Sequence, residues 1–137
     1  NITTIQTNRK NLVAYEKNLS SILSSYNTTL PEIDVFITTI QTGDYSALDG
    51  FDKTISFYSG LAKKLSKIAV PVGVAQYHLD ITNSVAGIGT SFEKMKLLED
   101  NGINALVGLS EYRFHDQKLT AAIERLTAYF TQYGILQ

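Results

Sequence analysis

Few side chains in this sequence can do acid–base or metal chemistry. There are two histidines, His78 and His115, and no cysteine. Without cysteine there is no thiolate nucleophile and no disulfide framework. His115 adjoins Asp116, but adjacent positions on a helix do not face each other, so both are expected on the surface. Glu111 and His115 stand four apart, and the paired Glu-x-x-His pattern of di-iron bundles is missing. There is no His-Glu-x-x-His zinc motif, no phosphate loop and no haem attachment site. Gly87-Ile88-Gly89 is too short for a dinucleotide fingerprint, and no Gly-x-Ser-x-Gly elbow presents a serine. The expectation is no catalytic residue, no metal, no cofactor and no enzyme.

Two groups of residues remain as candidate sites. His78 lies on an apolar stripe, one turn from Val74 and Ile81. A buried imidazole needs a hydrogen-bond partner, and a satisfied core histidine is the plain reading. The sharper readings are a metal or haem ligand and a pH-sensitive contact. With Asn83 and the small residues that follow, His78 also marks a candidate small-ligand gap between helices. The second group is Tyr129, Phe130 and Tyr133, a candidate docking patch, because tyrosine is enriched at interfaces. The plain reading of the eight tyrosines is boundary packing, with the ring buried and the hydroxyl wet.

The element that positions His78 is the stretch Val70 to Leu98, expected to be the central helix. Pro71 suits a first helical turn. Val74, His78, Ile81, Val85, Ile88, Phe92 and Met95 then recur in steps of four and three, one stripe along a helix. Gly87 and Gly89 interrupt it. They predict close approach of a neighbouring helix, or else a kink with a restart at the capping box Thr90 to Glu93.

The other elements are read the same way. Ile5, Leu12, Leu19 and Tyr26 are spaced by seven and predict a helix from Thr3 to Tyr26, with Asn8 at a stripe position. Asn27 to Thr29 reads as a turn. Thr29 to Glu32 reads as a capping box opening a short helix with Ile33, Phe36, Ile37 and Ile40 on one face, ended by Gly43. A strand is the rival there, because β-branched residues are dense, but nothing else offers it a partner. Ser46 to Asp49 is a further capping box, and the helix it opens runs to Lys67. Its acids lead and Lys63, Lys64 and Lys67 close it, as the helix dipole favours. After Asn101, a plausible N-cap, Ala105, Leu106, Leu109 and Tyr112 form one apolar face, and Leu119, Ile123, Leu126, Phe130 and Tyr133 continue it. Arg113 to Asp116 either bridges one long helix or breaks it. Gly134 is the expected C-cap.

At 137 residues the chain is one domain by length, with no repeat or linker. The expected fold is all-α, an up-down bundle of four main helices plus one or two short ones. A net charge of −1 gives no electrostatic case for nucleic acid or anionic membrane. Only 18% of residues are charged, below the usual quarter, and Thr, Ser, Asn, Gln and Tyr dominate the polar fraction. That balance, with the start at Asn1, leads to the expectation of an extracytoplasmic domain whose signal peptide or membrane anchor has been removed.

Two stretches, Lys64 to Asn83 and Asp100 to Tyr112, resemble a group of uncharacterised helical proteins of ultrasmall candidate-phylum bacteria. The matching positions are Val70, Pro71, His78, Leu79 and Asn83, then Ala105, Leu106, Gly108, Leu109 and Tyr112. Where that group often has Asp-Pro, this chain has Asn101-Gly102. The likeness covers about a quarter of the chain. It implies an extracytoplasmic domain behind an N-terminal hydrophobic segment, near secretion or pilus machinery, and no activity. The expected function is a non-enzymatic interaction or scaffold module of the cell envelope, binding a protein partner or itself. The alternative is a helical sensor or small-ligand bundle with its site near His78 and Asn83.

Overall fold

A computed structural model describes residues 2–26 and 31–136 of the chain. The turn read at Asn27 to Thr29, and the capping box that depends on Thr29, lie outside the described residues. The elements run β1 (Thr4–Ile5), α1 (Arg9–Leu23), α2 (Pro31–Thr42), α3 (Phe51–Lys67), β2 (Val70–Pro71), α4 (Ala75–Lys96) and α5 (Gly102–Gln132). Short 3-10 turns at Tyr45–Gly50 and Val72–Val74 lead into α3 and α4.

Four helices make the bundle and α2 is the short extra one, as expected. The contacts fix the directions. Gly87 and Lys94 of α4 meet His115 and Glu111 of α5, so these two helices are antiparallel. Tyr58 and Leu65 of α3 meet Gly89 and His78 of α4 in the same sense. Tyr15 meets Phe130 while Tyr26 meets Asp116, which sets α1 antiparallel to α5. The order α1, α3, α4, α5 is therefore up-down-up-down.

α4 is the central element. His78, Ile81, Val85, Ile88, Phe92 and Met95 are all fully buried, the stripe that the spacing predicts. Phe92 joins three helices: it meets Phe51 edge-on at 5.3 Å, stacks with Tyr58 at 6.0 Å and leans on Tyr112 at 5.5 Å. The helix neither kinks nor restarts at Gly87 and Gly89. A Cβ at Gly87 would lie 2.5 Å from the His115 ring, and one at Gly89 would lie 3.2 Å from the Tyr58 Cβ. The two glycines serve close approach. Thr90 turns its hydroxyl back to the Ala86 carbonyl at 3.1 Å, an interior bond rather than a cap.

Three helix starts differ from expectation, and α1 also ends at Leu23, short of Tyr26. α1 begins at Arg9, not Thr3. Asn8 is extended and its side chain accepts from the Asn11 amide at 2.8 Å, an N-cap rather than a stripe position. Thr4 and Ile5 pair in parallel with Val70 and Pro71, and the Val70 amide donates to the Thr3 carbonyl at 2.9 Å. That pairing holds Pro71 extended and delays α4 to Ala75. The box at Ser46 does not form either: its hydroxyl donates to Asp44 at 2.6 Å, and α3 begins only at Phe51.

α2 is a helix, opened by Pro31 and closed at Gly43, whose φ of 72° suits the residue after a helix. α5 is continuous through Arg113 to Asp116. It ends in a Schellman motif: Gly134 has φ 70°, and the Ile135 amide reaches back to the Phe130 carbonyl at 2.8 Å. No helix among the described residues is long and apolar enough to cross a membrane.

Candidate functional site

His78 sits on the inner face of α4 with no exposure at all. Its Nε2 lies 2.9 Å from the Leu65 carbonyl and its Nδ1 lies 3.0 Å from the Tyr15 hydroxyl. A carbonyl can only accept, so Nε2 carries the proton and Nδ1 accepts from the phenol. Burial lowers the imidazole's pKa, opposed by the bond to Leu65. Both nitrogens are engaged, leaving no lone pair for a metal. Asn83 is five residues on and exposed, so the pair expected to line one gap does not converge. An open cleft of about 370 Å³ between α3 and α4 is lined by Ser59, Lys63, Ala86 and Glu93 among others, without His78 or Asn83. Among the described residues no three His, Asp or Glu side chains gather to hold a metal.

The C-terminal aromatic group also divides. Phe130 is 3% exposed and packs on Tyr15, so it is core and not docking surface. Tyr129 is half-buried between Tyr77 and Tyr133. Tyr133 alone is well exposed.

Asp116 and His115 are not bare surface residues. Asp116 accepts from the Tyr26 hydroxyl at 3.0 Å, and the His115 ring covers Gly87. Around Tyr26 lies a polar cluster that the linear pattern did not reveal. Thr54 donates to Glu32 Oε1 at 3.0 Å. Glu32 Oε2 and the Tyr58 hydroxyl are buried without a hydrogen-bond partner among the described residues. Burial first, then Tyr26, Tyr112, Glu32 and Asp116, push the Tyr58 phenol far above its usual pKa. Tyr112 is pushed up to about 12, again mainly by burial. Such phenols stay protonated at neutral pH and are poor bases or nucleophiles.

The outward face of α5 is different in kind. Eleven large apolar side chains are exposed among the described residues, and four of them, Ile103, Leu106, Val107 and Phe114, fall within little more than three turns of this helix. With Ser110 they recur at three- and four-residue steps, a continuous stripe opposite the buried Ala105, Gly108 and Tyr112. Ile103 is 81% exposed. Leu106, expected beside Ala105 on the core face, belongs to this stripe. The first half of α5 is apolar on two sides, and a single-face pattern merges them. The signal was present in Ile103, Val107 and Phe114, which the core face does not use. Apolar stripes of this kind mark interaction surfaces. Exposed acids, Glu99 and Asp100, precede the stripe, and Lys118 follows it with its ammonium 5.1 Å from the Phe114 ring.

No protein-family model, curated protein or solved structure matches the chain.

Proposed function

We propose that this chain is a non-enzymatic helical interaction module that docks a protein partner through the outward face of α5. The observation that carries the reading is the stripe Ile103, Leu106, Val107 and Phe114, apolar on a helix already buried on its opposite side. A helix that needs only one apolar face to join its bundle has no use within the fold for a second. The rest of the molecule supports this: the imidazole of His78 is occupied and the inner phenols are held protonated. The proposal places the module in the cell envelope outside the cytoplasm, on the low charged fraction and a polar surface rich in Thr, Ser, Asn, Gln and Tyr. The small-ligand alternative near His78 lacks comparable support, because neither nitrogen is free and Asn83 is turned away.

The test is site-specific photo-crosslinking in the native host. A photoreactive residue at Leu106 or Val107 is expected to give a discrete adduct, while one at the exposed Glu124 of the same helix gives none. Absence of any adduct along the stripe refutes the reading.

A further inference from the structure

We propose that the partner on this face is a second copy of the chain, with the two α5 helices antiparallel about a twofold axis. The proposal rests on the docking role of α5 and names the occupant.

The argument is one of self-complementarity. A twofold contact uses the same patch on both copies, so the patch must fit itself. The outward positions 103, 106, 107, 110 and 114 carry no charge. The stripe is polarised at its ends: exposed Glu99 and Asp100 precede it, and exposed Arg113 and Lys118 lie towards its other end. Two copies packed in parallel would place acid on acid and base on base. Antiparallel packing does the opposite. Set Ile103 against the partner's Phe114, and Val107 falls against the partner's Ser110 and Lys118 against the partner's Glu99. Each contact occurs twice. Ser110 is the small residue near the middle and allows the axes to approach. Glu111, the acid nearest the centre, is already held by Lys94 in a two-oxygen pair at 2.7 and 2.8 Å, and so is not left facing the partner unpaired.

Four apolar side chains per copy make a small interface, below the standard size of about 800 Å² per partner. Association in the range of about 1–100 µM is therefore expected rather than a permanent dimer.

The experiment is light scattering on the purified full chain up to about 200 µM, above that range. The expected result is a mass rising toward twice that of one chain. Leu106→Glu, on an exposed position, should stay monomeric with unchanged helical circular dichroism. Lys118→Glu should weaken the dimer about tenfold, and adding Glu99→Lys with Asp100→Lys should restore it. Because the chain has no cysteine, mixing Val107→Cys chains with Ser110→Cys chains also reports the register: on mild oxidation the two should form a mixed disulfide, and Ser46→Cys chains should form none with either. A chain monomeric at every concentration, a dimer indifferent to Leu106→Glu, or a charge swap that fails to restore would each overturn the proposal. If the chain is monomeric yet a photoreactive Leu106 captures a different protein, the second copy is wrong and the docking role stands. If that position captures nothing, both fall.

Discussion

His78 shows how much one side chain's position on a stripe predicts and what it leaves open. Its spacing gave burial and the need for a partner. The partners themselves, Tyr15 and the Leu65 carbonyl, belong to other helices and could not be read locally. The consequence for stability follows from the lowered pKa. The native imidazole binds a proton less readily than the unfolded one. Stability due to this group is therefore present above the unfolded value of about 6.5 and is lost as pH falls below it. Urea midpoints measured between about pH 7 and pH 5 should fall in the wild type, and His78→Gln should flatten that fall, since glutamine can donate to Leu65 and accept from Tyr15 without titrating. An equal slope in the variant would assign the acid sensitivity elsewhere. The aromatic group near the C-terminus teaches the converse. The apolar stripe runs through both Phe130 and Tyr133, but only Phe130, packed against Tyr15, is core, while Tyr133 at the helix end stays exposed.

At the scale of elements, periodicity located the helices and misplaced several of their ends. The seven-residue spacing runs numerically through Ile5, yet Thr4 and Ile5 are drawn into a strand by Val70 and Pro71, partners far along the chain. Capping-box patterns at Ser46 and Thr90 matched residue types while the backbone there was already committed, to a 3-10 turn and to a helix interior. Of the two readings open for Gly87 and Gly89, close approach is the one the helix shows, and the same geometry separates two glycines on which the sequence reading was silent. A Cβ at Gly108 would stand 2.8 Å from the Ser91 carbonyl and from the Lys94 Cβ, groups on the neighbouring helix backbone or next to it. At Gly60, within α3, nothing lies within 4 Å. Gly108→Ala should therefore destabilise by about 1–3 kcal/mol through overpacking. Gly60→Ala should stabilise by about 0.5–1 kcal/mol through helix propensity alone. Thermal denaturation of the two variants decides it, and the idea fails if both shift in the same direction.

For the whole molecule, the up-down order was legible because short links between long helices leave few alternatives. The exposed apolar stripe of α5 and the Glu32–Tyr58–Asp116 cluster were not, since one shares a helix with a core face and the other gathers residues from separate elements. The parallel pair between Thr4–Ile5 and Val70–Pro71 has a consequence for how the bundle assembles. α3, α4 and α5 join through short links and can close early, whereas Thr7 meets Gly73 across 66 residues of chain. The N-terminal segment should then be the last to dock and the first to leave. Native-state hydrogen exchange should release the Val70 and Gly73 amides, held by Thr3 and Thr7, through an opening cheaper than global unfolding, while amides near Ile88 exchange only globally. Equal protection would refute this order. Until α1 arrives, His78 lacks Tyr15 and is open to water on that side. In acid the open ring carries a second proton, on Nδ1, which must be shed before Nδ1 can accept from Tyr15, so the last step of folding should slow in acid while the earlier ones do not.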